Sequence, residues 1–192
     1  MNVGPIVIPA SSAPSIGAWT LVTTLVGANS ASLVYTGFSP SAYINYICIF
    51  TGVVPDTNGA DFYVNLSNDG GVTYPAQQSW GVQRVAGGPA ATFLPTGANN
   101  SKNIILATDN DSTSAGSTAG SLTLSYNGTL STDACMIDYR FVNTNSGTGI
   151  PNQCIGAVAP FTLVVTKRVN TMKFLMNVGL IAKATFRIYG IT

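Results

Sequence analysis

The chain has 192 residues, a formal net charge of +1 and 46% hydrophobic residues, with only 8% charged, against about 25% in ordinary soluble domains. That length can bury a real core and suits one large β domain or two small ones. The near-zero charge makes no electrostatic case for nucleic acid, and no uncharged apolar run reaches the ~18 residues of a membrane helix, so neither is an expected partner.

The opening, MNVGPIVIPASSAPS, has no basic n-region and does not read as a secretory signal. Its Pro and Ser content predicts an N-terminal arm over residues 1–17, followed by a single domain over 18–192. WTLVTTLV (19–26) and ASLVYTG (31–37) are rich in β-branched residues and predict strands on either side of a GANS turn. In YINYICIFTGVV (43–54), Ile44, Tyr46, Cys48 and Phe50 share one face. Ile47 and Ile49 lie on the other, so both faces should be covered. PDTNG (55–59) is dense with turn residues.

DFYVNLS (61–67) alternates Phe62, Val64 and Leu66 inward with Asp61, Tyr63 and Asn65 outward. QSWGVQRVA (78–86) is the one stretch where a short helix could hide. SLTLSYNG (121–128) turns Leu122, Leu124 and Tyr126 inward. CMIDYRFV (135–142) buries Cys135, Ile137, Tyr139 and Phe141 and presents Asp138 and Arg140. FTLVVTKR (161–168), TMKFLMNVG (171–179) and ATFRIYGI (184–191) complete the set. In the last, Phe186 and Ile188 belong to the core, while Arg187 and Tyr189 face a neighbour or solvent. Many short strands joined by Gly, Asn, Ser and Thr predict an all-β fold: an antiparallel β-sandwich, jelly-roll-like.

The residue types limit the chemistry. The chain has no His and no Glu. A Ser-His-Asp or Cys-His hydrolase needs an imidazole, and a zinc site normally wants His or clustered Cys. Cys48, Cys135 and Cys154 form no C-x-x-C and read as buried small hydrophobes. The side-chain carboxylates are seven Asp, at 56, 61, 69, 109, 111, 133 and 138, most of them in turn-like contexts. The expectation is a protein that is not an enzyme and needs no cofactor.

Three features still ask for a functional reading. SNDGGVTY (67–74) fits S-x-D-x-G-x-T-[WY], which resembles the Asp-box of sialidases. Ser67, Asp69, Gly71 and Thr73 fall in place, with Tyr74 where Trp is usual. The same residues, with Gly70, are what a tight hairpin needs: an Asx-turn and two residues tolerant of positive φ. One copy in 192 residues cannot make a propeller sialidase, so the reading here is a structural hairpin. DNDSTSAG (109–116) sets Asp109, Asp111 and Thr113 at alternate positions, as oxygen ligands for Ca²⁺ are set, but Gly120 stands where an EF-hand has its bidentate Glu. A polar loop explains it as well, and no metal is assigned. Trp19, Trp80, Tyr43, Tyr63 and Tyr74 could stack on sugar rings or pack on a partner. Trp80, Tyr63 and Tyr43 are the ones taken as candidate glycan or partner contacts.

SAPSIGAWTLV, ASLVYTGFSPSAYINYICIFTGVVPDTNGADFYVNLSNDGGVTY and a terminal NVGLIAKATFRIYGI together resemble small structural proteins of tailed bacteriophages. Gly179, Ile181, Phe186, Arg187, Tyr189, Gly190 and Ile191 take the places of that group's closing strand. Lys183 and Ala184 stand where a Ser-Gly pair is expected. The similarity spans residues 13–75 and 174–191. It implies a non-enzymatic virion structural protein on the particle exterior, either a head decoration (cement) protein or a short fibre. Its implied partners are other virion proteins, such as the major capsid or tail proteins. The low charge and apolar excess suggest a homo-oligomer, and analogy with phage fibres and decoration proteins favours a trimer. A receptor-binding adhesin for bacterial surface glycans is the alternative, and a polysaccharide depolymerase a remote one.

Overall fold

In the computed structural model, which describes residues 18–75, 78–85, 92–95, 104–110, 112, 117–126, 135–144, 151–159 and 169–192, every regular element is a β-strand. In chain order they are β1 (Trp19–Ser30), β2 (Leu33–Tyr35), β3 (Asn45–Pro55), β4 (Ala60–Ser67), β5 (Gln78–Val85), β6 (Thr92–Pro95), β7 (Ile104–Asn110), β8 (Thr118–Tyr126), β9 (Cys135–Thr144), β10 (Pro151–Ala159), β11 (Thr171–Met176) and β12 (Ile181–Ile191). The period-2 pattern that predicts strands from sequence is visible in their burial. β12 alternates Ile181, Ala184, Phe186 and Ile188 inside with Lys183 and Arg187 outside, its phase reset where the pairing to β3 shifts register on either side of Lys183.

Two antiparallel sheets face one another. The larger runs β1-β12-β3-β8-β9-β10-β5-β6 and the smaller β2-β11-β4-β7. Leaving out β5, β6, β9 and β10, the chain winds between two four-stranded sheets, β1-β12-β3-β8 and β2-β11-β4-β7. That double winding is the jelly roll expected from the sequence. The hairpin of β9 and β10 and the pair β5 and β6 extend the larger sheet beyond β8.

The core lies between the sheets. Phe50 of β3 is its centre, with ring centroids 5.1 Å from Phe141, 5.2 Å from Phe174, 4.8 Å from Phe186 and 6.0 Å from Phe62. These are mainly edge-on contacts, which suit the ring quadrupole and add to the transfer free energy of burial. Gly120 stands between Phe50 and Phe141 in the strand register, and its missing Cβ makes this packing possible. A Cβ there would fall 2.1 Å from the Arg140 carbonyl oxygen and 2.9 Å from the Phe141 ring. At one end, Phe38, Tyr43 and Tyr126 pack on Tyr46. The buried hydroxyls there have partners. Tyr46 accepts from the Ser39 N–H at 2.8 Å and donates to its carbonyl at 2.9 Å. Tyr126 donates to the Val169 carbonyl at 2.6 Å.

Several expectations need correction. QSWGVQRVA is not a helix: its residues 78–85 form β5, paired with β10 and β6. GANS does not end the first strand, because pairing to β12 continues to Ser30 opposite Ile181. The chain then crosses to the other sheet. Ile44 is not a core residue: it precedes β3 and is 49% exposed. Asn65 points away from the core yet is buried. Residues 1–17 and FTLVVTKR lie outside the described residues.

Candidate functional site

The Ser67–Tyr74 hairpin is built around one carboxylate. Gly70 and Gly71 take φ of 78° and 89°, which L side chains rarely adopt, so the chain can reverse here at no steric cost. The Asp69 carboxylate then lies within reach of three donors. It accepts from the Ser67 hydroxyl at 2.6 Å, from the Thr73 hydroxyl at 2.6 Å and from the Thr73 N–H at 3.0 Å. Ser67 Oγ in turn accepts from the N–H groups of Asp69 and Gly71 at 3.2 and 2.9 Å. Asn170, just before β11, latches the loop from outside: its Oδ1 accepts from Gly70 N–H and its Nδ2 donates to the Asn68 carbonyl, both at 3.1 Å.

These bonds, led by the Ser67 hydroxyl, hold the Asp69 carboxyl well below the usual carboxylate range. A carboxylate with its lone pairs so engaged keeps its charge and has no proton to give. The geometry is that of a tight turn organised around one carboxylate.

The sign of the pH effect follows. An unfolded Asp titrates near pH 4. Folded Asp69 titrates lower, so its bonds stabilise the fold above about pH 4, and that contribution is lost as pH falls through the folded value. Asp69→Ala is therefore expected to lower the melting temperature at neutral pH and to narrow the gap to wild type in acid. Any partner binding should be retained by folded protein. Thermal melts of both proteins across the acid range, with a binding assay alongside, check this. Loss of binding without loss of stability would give the motif a role in recognition.

The outer face of the smaller sheet collects the nearest thing to a ligand platform. Tyr63 of β4 lies opposite Leu175 of β11, and Lys173 opposite Asn65. Lys173 Nζ sits 5.6 Å from the centroid of the Tyr74 ring, a cation–π distance. The Tyr63 hydroxyl donates to Asp61 Oδ2 at 3.3 Å, and Asn177 Nδ2 donates to the same oxygen at 3.3 Å. Burial first, and the Asp61 charge second, push the Tyr63 hydroxyl up. Two phenol rings, an ammonium and a carboxylate thus share one face.

The outer face of the larger sheet is more apolar at its β1 side. Trp19 and Leu21 of β1 are 55% and 52% exposed. Trp19 packs against Tyr189 of β12 with centroids 5.8 Å apart. Ile47 of β3 continues the row from Leu21 and Tyr189 in register. Arg187 and Lys183 on β12, with Asp138 and Arg140 on β9, supply charge on that face.

The structure does not bring the three singled-out aromatics together. Tyr63 is on the smaller sheet's outer face. Tyr43 packs on Tyr46 at the sandwich end and borders a shallow dip of ≈ 300 Å³ with Pro40, Ile44 and Thr192. Trp80 lies on β5 opposite Ala157, its side chain outside the described residues. Sequence reading missed Lys173 and Leu175 as surface residues, although the alternation in TMKFLM carries the signal. Asp111 and Thr113 of the cation-like loop lie outside the described residues, as does the side chain of Asp109. Cys48 is buried, which pushes its thiol pKa up and away from reactivity.

No protein-family model matches the chain. A search of curated proteins finds no match either.

Proposed function

We propose that this chain is a non-enzymatic structural protein of a bacteriophage particle, carried on the particle exterior as a head decoration protein or short fibre. The observation that carries the reading is the apolar row of exposed Trp19 and Leu21 with half-buried Tyr189 on a jelly-roll sheet, a surface suited to contact with other proteins. Supporting it, the two segments that resemble phage proteins are joined in the fold. The Asp56 carboxylate accepts from Leu180 N–H at 2.7 Å, and Asn177 Oδ1 accepts from Asp61 N–H at 2.8 Å. The VVPDTNG and NVGLI stretches are therefore two halves of one clasp. The jelly roll also builds many viral capsids, an analogy at the level of fold alone.

The expected partners are the major capsid or tail proteins, and further copies of this chain, with a trimer favoured by analogy. Mass spectrometry of gradient-purified particles should find the protein, and antibodies against it should label intact particles. Its absence from purified particles would overturn the reading. Light scattering should give a mass above that of one chain at micromolar concentration.

The second reading, an adhesin for bacterial surface glycans, is favoured by the Tyr63, Tyr74, Lys173 and Asp61 platform, since sugars stack on aromatic rings and hydrogen-bond to flanking polar groups. In that case the protein binds purified surface polysaccharide, and Tyr63→Ala weakens binding without lowering the melting temperature. The depolymerase reading draws no support from the described carboxylates. Asp56 and Asp69 accept hydrogen bonds within turns, Asp61 accepts from Tyr63 and Asn177 at the start of β4, and Asp138 is exposed on the other sheet.

A further inference from the structure

Among the described strands, four end the two sheets: β1 and β6 in the larger, β2 and β7 in the smaller. A free edge offers unpaired N–H and C=O groups to any other strand, and natural proteins blunt it by shortness, charge, proline or irregularity. β2 has three residues. β6 has four and ends in Pro95. β7 carries Asp109 and pairs with β4 through two register breaks. β1 is different. It has twelve residues, none charged and none proline. Its single register break lies near its start, between Leu21 and Thr23, and the ladder from Thr23 to Ala28 is regular. Val26, in the middle of that regular stretch, is 66% exposed.

We propose that β1 is a pairing edge for β1 of a second copy of this chain. The two strands would run antiparallel about a two-fold axis and continue the larger sheet across both molecules. The charge pattern selects this occupant. A strand with no charge sets no like charges opposite one another when it meets itself. The nearest charges, Arg187 and Lys183, lie one strand in on β12, and a second β1 adds none to them. A two-fold contact needs a self-complementary surface, and the aliphatic and β-branched side chains of β1 supply one. Main-chain ladder bonds hold such an augmented sheet, and Leu21 and Val26 gain apolar neighbours across the new seam.

The proposal deepens the assembly reading and rests on it. Pairing at β1 makes dimers, or joins two trimers into a hexamer.

The test measures mass by light scattering and β1 amide exchange by hydrogen–deuterium mass spectrometry, on the full chain and on Val26→Lys and Thr24→Lys. Both sites are exposed, and circular dichroism and a melting curve verify folding, so if one variant fails to fold the other decides. The expected result is an even multiple of the chain mass that halves in either variant, with β1 amides that are slow in the wild type and fast in the variant. Val142→Lys, exposed on the same face but on β9, should leave the mass unchanged. A wild-type trimer with fast β1 exchange overturns the pairing and leaves the assembly reading intact. A monomer overturns both, and slow β1 exchange in that monomer would mean that the chain covers its own edge. An even multiple that survives the β1 substitutions, or that Val142→Lys also breaks, places the contact elsewhere and overturns the pairing.

Discussion

Deletion of residues 184–192 is expected to leave no soluble, folded protein. These residues are most of β12, which lies between β1 and β3 and pairs with both. On one side the ladder from Gly27 opposite Ala184 to Trp19 opposite Ile191 is lost. β12 is the one hydrogen-bonded neighbour of β1 among the described strands, so β1 goes with it. On the other side, β3 is stripped from Thr51 to Asn45. Phe186 and Ile188, both fully buried, leave the core as well. Phe186 alone holds ring contacts with Phe50 at 4.8 Å and Phe174 at 4.9 Å. A buried Phe is worth about 3–5 kcal/mol and a buried Ile about 2–5 kcal/mol. Their sum reaches the net stability of an ordinary domain, about 5–15 kcal/mol, before any lost backbone bond is counted. The soluble fraction on expression and the melting curve of whatever is soluble decide the matter. A folded truncation with an unchanged melting temperature would make β12 an appendage and break the jelly-roll account.

The second large effect belongs to Phe50→Ala. Among the described residues Phe50 and Phe62 each touch four rings, and those of Phe50 lie at the shorter distances: Phe62 and Phe174 across the core, Phe141 and Phe186 within its own sheet. The cavity left behind is walled by ladders on β3, β8 and β12 and by the tight approach of Gly120 to the β9 backbone, so the walls cannot close far. The cost is then near the top of the range for Phe→Ala, about 4–5 kcal/mol. In a domain of this size that lowers Tm by on the order of 10 °C. Denaturant unfolding of wild type and variant measures it directly. A loss under about 1 kcal/mol would mean that the site collapses onto the gap, against the rigid-wall argument.

Much of the fold was legible because a strand with one buried face writes its period into the sequence. Phe62, Val64 and Leu66, then Leu122, Leu124 and Tyr126, then Ile137, Tyr139 and Phe141 are buried as the alternation requires. The hairpin was legible for a different reason. Ser67, Asp69, Gly71 and Thr73 bond to one another within a few residues, so the local sequence contains most of the turn; only the Asn170 latch on Gly70 and Asn68 comes from afar. β5 was not legible. Gln78 to Val85 has no clean period, and a strand is chosen there by the backbone groups of β10 and β6 on either side. Asn65 was misjudged in burial: its phase is outward, yet it is buried, which the alternation of its own strand does not record.

By itself, then, the sequence determined the strands with a clear period, such as β4, β8, β9 and β12, most of their inward residues and the inner bonds of the turn at Asp69, since those depend on neighbours close in the chain; β5, β6, β7 and β10 carried no such signal. The order of the strands was decided only in three dimensions. β12 slots between β1 and β3 because antiparallel ladders and a shared core can join residues more than a hundred positions apart, which no local pattern records. That order also decides which strands are left at the edges. Nothing in WTLVTTLVGANS says that β12 is its one neighbour among the described strands; β1 is an edge there because the described sheet ends with it.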